Sequence, residues 1–187
     1  SANWRSIFSE KLTANFSFGY DHYDYRNDES VEEAAAARLS FAINQWFGKV
    51  DFSYKLDNNH TLNFGLMSQF YNINSGTYEP LHESSLVKWD QLQKDKALES
   101  AIYIGDQWEI TPKLSVNAGI RYSMFNLLGP RTYYTYQDGM LPSSTTVVDS
   151  VSVGGGKVVK TYQGPEFRLS ARYAFNDDFS VKAGFNT

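Results

Sequence analysis

The chain has 187 residues, of which 42% are hydrophobic and 20% are charged, and its formal net charge is −4. It contains no cysteine, which excludes disulfides and thiolate metal sites. Its net negative charge gives no basic surface for binding nucleic acid. No stretch approaches the roughly 18 consecutive apolar residues that a membrane-spanning helix needs.

Apolar and polar side chains alternate with a period of two along most of the chain. Successive side chains of a β-strand point to opposite faces, so each such segment has one apolar face and one polar face. The alternation predicts eight strands, at residues 3–8, 12–25, 39–56, 61–73, 97–110, 114–127, 162–175 and 179–186.

Short turns and long connections separate these strands in strict alternation. Polar turns lie at residues 9–11, 57–60, 111–113 and 176–178, and long loops lie at about 27–37, 78–96 and 129–161. Tight turns on one side and long loops on the other are typical of outer-membrane β-barrels. The predicted fold class is all-β, an antiparallel up-and-down meander of about eight long strands that forms part of a transmembrane β-barrel.

Basic residues fall almost wholly on the polar phase of the predicted strands, as a lipid-facing apolar phase requires. An Arg or Lys on the lipid face at mid-bilayer costs about 2–4 kcal/mol. In strand 97–110 neither alternate row of side chains is apolar throughout. We therefore expect a β-bulge near Gly105 and Asp106, or else a loop that covers this strand. The predicted inward charges are Lys49, Lys55, Arg121, Arg168, Arg172 and Lys182, with Asp21, Asp51 and Glu166.

Such a polar wall has two interpretations. It could hold an acidic surface of a plug or pass anionic solutes. Alternatively, its charges are solvated wall residues that pair with one another across strands.

Aromatic residues make up 16% of the chain and cluster near the predicted strand ends. Tyr and Trp accumulate where one end of a side chain is apolar and the other is wet, which predicts girdles at the lipid headgroups. A soluble aromatic core or a sugar-stacking surface is the alternative. The predicted girdle residues are Trp4, Phe8, Tyr20, Tyr23, Tyr25, Trp46, Phe47, Tyr71, Tyr78, Trp108, Tyr122 and Phe125.

Nothing in the sequence predicts catalysis, a cofactor or a metal site. The three histidines are scattered, and Asp21 and His22 are strand neighbours whose side chains point to opposite faces. No nucleophile elbow, phosphate loop or paired-cysteine motif is present, so we expect no enzyme. Residues 83–100 have near-helical spacing of apolar side chains, which fits a short helix or an irregular loop equally well.

Residues 101–122, AIYIGDQWEITPKLSVNAGIRY, resemble a barrel hairpin of the TonB-dependent outer-membrane receptors. Residues 123–130, SMFNLLGP, resemble the Bacteroidetes branch of that family, and residues 165–173 with 180–186 resemble its next hairpin. The family commonly has Pro-Arg where this chain has Pro165 and Glu166.

The resemblance implies a bacterial outer-membrane importer of a large nutrient, such as an iron chelate, cobalamin or a glycan. Such receptors are 22-stranded barrels closed by an N-terminal plug and energised through a TonB box. Neither plug nor TonB box is visible here, so residues 1–187 are expected to be a central-to-late barrel fragment. The expected partners are outer-membrane lipid, the plug domain, the TonB system and, as a candidate, a surface lipoprotein.

Ligand contacts in such a fragment are expected from aromatic residues on the loops. Tyr and Trp supply rigid contact area at low entropic cost, and their faces stack on sugars or flat chelators. The candidates are Trp89, Tyr133, Tyr134 and Tyr136.

Two other functions stay open at this point. Eight strands can close into a small barrel that acts as an anchor or adhesin. A soluble all-β binding module would instead pack its apolar rows against a second layer.

Overall fold

The computed structural model describes residues 1–187 and consists of one large antiparallel sheet and one small separate hairpin. A 3₁₀ turn covers Glu33–Ala35. The strands are β1 (Ala2–Ile7), β2 (Leu12–Glu29), β3 (Ala37–Lys55), β4 (His60–Pro80), β5 (Asp90–Gln91), β6 (Asp95–Thr111), β7 (Leu114–Leu128), β8 (Arg131–Tyr136), β9 (Val147–Val153), β10 (Val158–Ala174) and β11 (Ser180–Asn186).

No helix is long and apolar enough to cross a bilayer.

The large sheet is an antiparallel meander in the order β1-β2-β3-β4-β6-β7-β10-β11. The short β5 pairs with the outer end of β4, and β8 pairs only with β9. This order confirms the predicted fold class. Because β1 and β11 each have a single neighbour, the sheet is open, and these strands do not close into a small barrel by themselves.

The inner strands of the sheet are longer than a bilayer requires. β2, β3 and β4 have 18, 19 and 21 residues, whereas about 9–11 tilted residues cross the hydrocarbon layer. The surplus extends the sheet on the side of the long loops. The predicted loops are therefore shortened, because residues 27–29 pair with residues 37–39 and because the last loop contains the β8–β9 hairpin.

The sheet has no hydrophobic core of its own. Only 11 of the 187 residues are buried, and the buried hydrophobic residues are all alanines. Large apolar side chains such as Phe18, Ile102 and Phe185 are instead more than half exposed. A soluble sandwich would bury these rows against a second sheet, and no second layer covers them.

The predicted bulge near Gly105 and Asp106 is wrong. The pairing of β6 with β7 runs without a shift from Lys96 to Glu109, and the irregularity lies at the turn, between Glu109 and Thr111. Asp106 consequently faces the apolar side, where His60 Nδ1 contacts its Oδ2 at 2.7 Å and Trp108 stacks on the His60 ring. Asp106 therefore keeps its place in the regular alternation, and His60 provides the polar partner that it needs on the apolar face.

The predicted aromatic girdle divides between the two faces. Trp4, Tyr20, Trp46, Trp108 and Tyr122 share the face of Phe16, Val50 and Leu62. The assignment of five others to a lipid-facing girdle is wrong, because the parity of a position decides its face whatever its distance from the strand end. The residues on the opposite face are Tyr23, Tyr25, Phe47, Tyr71 and Phe125.

A tyrosine crosses a glycine to tie three strands together on the polar face. The Tyr103 hydroxyl on β6 donates to the Asp51 carboxylate on β3, passing over Gly65 on the intervening β4. A Cβ atom on Gly65 would collide with the Val50 carbonyl oxygen and with the Tyr103 hydroxyl. Only glycine therefore leaves room for this contact.

We expect Gly65→Ala to lower the free energy of unfolding by about 1–3 kcal/mol, since the added methyl group overpacks a closed space. Urea unfolding of the detergent-solubilised protein measures the change. Gly164→Ala is the matched control, because nothing lies within 4 Å of its Cβ position. Equal stability of the two variants would contradict the crossing role of Gly65.

Candidate functional site

The first two loops dock on each other at the outer end of the sheet. The Leu86 amide donates to the Ala34 carbonyl at 2.9 Å, and the Leu81 amide donates to the Ala36 carbonyl at 3.1 Å. The Ser84 hydroxyl donates to the Glu33 carboxylate at 2.9 Å. Ala36 is completely buried at this contact, so the two loops form a single cap.

Trp89 stands beside a well-anchored part of the second loop. Residues 83–94 form an irregular loop with the short β5, so the helix alternative is not observed. The Gln91 amide donates to the Thr77 hydroxyl at 3.0 Å, and Leu92 packs over Gly76. Trp89 itself is 62% exposed. The second loop thus presents the exposed Trp89 indole next to residues that are anchored on β4.

The three candidate tyrosines lie on the β8–β9 hairpin, which β6 anchors. The Arg131 guanidinium pairs with the Asp95 carboxylate at the start of β6, and it lies 5.4 Å from the centre of the Tyr133 ring. Tyr134 and Tyr136 share the opposite face of the hairpin, because strand positions alternate. The structure therefore groups Tyr134 with Tyr136, separates Tyr133 from them, and leaves Trp89 on another loop.

A second cation lies near Tyr133. The Lys160 ammonium lies 4.8 Å from the centre of the Tyr162 ring. A hydrogen bond with the Tyr162 side chain raises the pKa of Lys160, with smaller electrostatic contributions from Tyr162 and Tyr133. The Tyr133 face of the hairpin is therefore basic and aromatic, whereas the Tyr134 face offers exposed aromatic surface.

The polar face of the sheet carries an ion network at mid-height. Arg121 Nη2 lies 3.2 Å from Glu99 Oε1, and Arg121 Nε lies 3.7 Å from Glu166 Oε2. The Tyr71 hydroxyl donates to Glu99 at 3.2 Å. Lys49 and Asp51 form a further pair at 2.9 Å. The interpretation that wall charges pair with one another is confirmed for Arg121 and Lys49.

Glu99, Asp95 and Arg131 were missed by the sequence analysis. Glu99 lies on the strand whose alternation is irregular in the sequence, whereas Asp95 and Arg131 lie in the predicted loops 78–96 and 129–161. Their partners are fixed by the strand register, which no local pattern of residues reveals. No group of three His, Cys, Asp or Glu side chains is arranged to hold a metal ion.

The outer ends of β2 and β3 are joined by a bidentate ion pair. Arg38 Nε and Nη2 donate to the two carboxylate oxygens of Asp28 at 2.7 and 2.8 Å. These hydrogen bonds from Arg38 hold the pKa of the Asp28 carboxyl below its ordinary value. Both residues lie beyond the length of strand that a bilayer needs, in the part of the sheet that carries the loops.

Comparisons with known proteins agree with this geometry. The family model described as "TonB dependent receptor-like, beta-barrel" matches residues 1–187. No curated protein sequence matches the chain. The Bacteroidetes resemblance of residues 123–130 stays a prediction.

Two solved structures share the fold at 12% sequence identity. The copper transporter OprC has a TM-score of 0.68 over 97% of this chain and 29% of its own length. The ferric-catecholate import receptor Fiu from E. coli K12, in its open form, has a TM-score of 0.57 over 98% of this chain and 34% of its own length. The chain thus spans about a third of the length of these proteins.

The lowered pKa of Asp28 predicts how acid affects the outer strand ends. The ion pair contributes its full stabilisation above the ordinary Asp pKa of about 3.9 and loses it as the pH falls through the lowered value. Spin labels at residues 27 and 39 should stay immobile above about pH 3.9 and become mobile only as the pH falls below that value. Arg38→Gln should remove this transition, and a transition that persists in the variant would assign it to other groups.

Arg131→Gln should loosen the β8–β9 hairpin, since the variant leaves Asp95 without its cation. We expect hydrogen exchange of the β8 and β9 amides to become about tenfold faster, equivalent to about 1.4 kcal/mol. Lys157→Gln is the control, because Lys157 is an exposed cation near the same hairpin without an ion pair. Unchanged exchange in Arg131→Gln would show that other contacts hold the hairpin.

Proposed function

The chain belongs to the TonB-dependent receptor-like β-barrel family, and on this premise we propose that it forms a section of the barrel wall of a bacterial outer-membrane importer. The single observation that carries the proposal is the one-layer sheet with an exposed apolar face and a polar opposite face. Lipid covers the first face in such a barrel, and water or protein covers the second.

The proposed activity is energised uptake without bond chemistry. The outer loops capture a large nutrient, a plug domain inside the barrel rearranges under the action of the TonB system, and the nutrient crosses along the polar wall. The plug and the TonB system are proposed partners that belong to a longer protein and its cell. A surface lipoprotein that covers the loops is a further proposed partner.

The proposed nutrient is an iron chelate, cobalamin or a glycan. Copper and ferric catecholate are stated for OprC and Fiu, and a likeness at 12% identity supports the shared fold only. Support for a bulky ligand comes from exposed aromatic rings on anchored loops. Tyr134 and Trp89 are 54% and 62% exposed, and both lie next to backbone that is hydrogen-bonded in strands. Such rings give stacking area to a sugar or a flat chelate.

Uptake that depends on TonB tests the transport proposal. Cells that carry the intact receptor should accumulate at least one of three labelled probes, namely ferric siderophore chelates, cyanocobalamin or oligosaccharides. Accumulation should stop when TonB is deleted. Accumulation that persists without TonB would assign the receptor to passive diffusion and contradict the proposal.

Binding of the accumulated probe tests the four aromatic candidates. Trp89→Ala, Tyr133→Ala, Tyr134→Ala and Tyr136→Ala together should weaken binding at least tenfold, since about 1–3 kcal/mol of contact is lost per well-packed ring. Met140→Ala with Leu141→Ala is the matched control, because these exposed side chains occupy the same hairpin without a ring. Affinity that is unchanged in the fourfold variant rejects the assignment.

The hairpin geometry sharpens this test. Tyr134→Ala with Tyr136→Ala removes one face of the hairpin, whereas Tyr133→Ala removes the other. The affinity for a single ligand should fall much more in one of these variants than in the other. Equal losses from both would contradict a ligand bound on one face.

A further inference from the structure

The polar face of the sheet has two halves, which differ in whether their polar side chains pair with one another. Toward the loops, the acids pair with cations, as in Lys49 with Asp51 and Arg121 with Glu99. Toward the turns, a shallow concavity of about 460 Å³ carries polar groups that face outward. We name it the amide trough and define it by Asn63, Gln107, Asn117, Asn186, Arg168 and Lys182.

The strand register builds this trough. One cross-strand row reads Asn63, Gly105, Gly119, Arg168 and Asn186. The next row toward the turns reads Gln107, Asn117, Ser170 and Gly184. Because Gly105 and Gly119 face each other without side chains, the wall recedes at that point, and longer polar side chains surround the gap.

The amides of the trough make almost no hydrogen bonds within residues 1–187. The side chains of Gln107, Asn117 and Asn186 make no hydrogen bond within the protein, and Asn63 makes only a long one of 3.5 Å to the Thr61 carbonyl. Each amide carries two N–H donors and a carbonyl acceptor. Four such groups on one open surface offer a ligand many donors without the loss of an internal bond.

The trough carries two positive charges, and only one of them has a carboxylate nearby. Lys182 has no carboxylate within 4.0 Å, and Arg168 only just reaches Glu166 at 4.0 Å. Arg172 stands directly opposite Lys182 in the register, a like-charge pair that destabilises a sheet. Asp106 adds no negative charge here, because its carboxylate lies on the opposite face with His60.

We propose that the amide trough binds the carboxylate or phosphate group of an anionic solute on its way through the receptor. Arg168 and Lys182 neutralise the anion, and the amide N–H groups donate to its oxygens. The inference rests on the proposed transport function, because only transport brings a solute to the inner wall. The trough is shallow and open, and most of its lining residues are polar or glycine, so it holds the solute weakly enough to release it.

Equilibrium dialysis of the purified intact receptor with labelled succinate and labelled inorganic phosphate tests this site. The wild-type receptor should bind at least one of them, and added NaCl should weaken the binding. Arg168→Gln with Lys182→Gln should weaken it at least tenfold. Gln107→Glu with Asn117→Asp, which reverses the charge at almost unchanged size, should weaken it to a similar extent.

The matched control is Lys88→Gln with Lys94→Gln, which removes the same net charge from the exposed second loop. This control should bind as the wild type does, and circular dichroism should give every variant the same strand content. The proposal is overturned if the wild type binds neither anion, if the trough variants bind within twofold of the wild type, or if the control loses as much.

Transport and anion binding are measured separately, so each can fail alone. Anion binding that depends on the trough in a receptor without TonB-dependent uptake would contradict the transport function. Uptake that needs TonB in a receptor without anion binding would contradict the trough.

Discussion

The structure depends on the covering of an apolar sheet face from outside the chain. A globular domain gains most of its stability by burying large side chains, and here the buried hydrophobic residues are alanines. The strand pairing satisfies the backbone, but it does not remove Phe, Leu and Val side chains from water. Lipid on one face is the environment that makes this arrangement stable, as expected for the β-barrel family to which the chain belongs.

The polar face is stabilised in a different way from one end to the other. Near the loops, ion pairs link side chains within one strand or on neighbouring strands. Tyr103 reaches further, because it crosses Gly65 to contact Asp51 on a strand that is not its neighbour. Such contacts stiffen the part of the wall that carries the loops. In the amide trough, the side chains of Gln107, Asn117, Asn186 and Lys182 have no partner within residues 1–187, and this part of the wall is able to interact with another group.

The sequence alone predicts the meander, the four turns and the two faces, because a period of two is a local property that survives without knowledge of neighbours. It fails at Asp106, where a histidine one strand away provides the partner that a local pattern cannot show. It also fails for Phe47 and Tyr71, whose positions near strand ends suggested lipid contact although their parity places them inside. The trough follows from alignment of five strands, so only the register reveals it.

The cap that joins the first two loops has a consequence for how the outer surface moves. Two backbone hydrogen bonds and a buried Ala36 fasten residues 33–36 to residues 81–86. The first two loops cannot move separately over a ligand, because displacing either loop breaks its contacts with the other. The two loops should therefore move together at the ends of β2, β3 and β4.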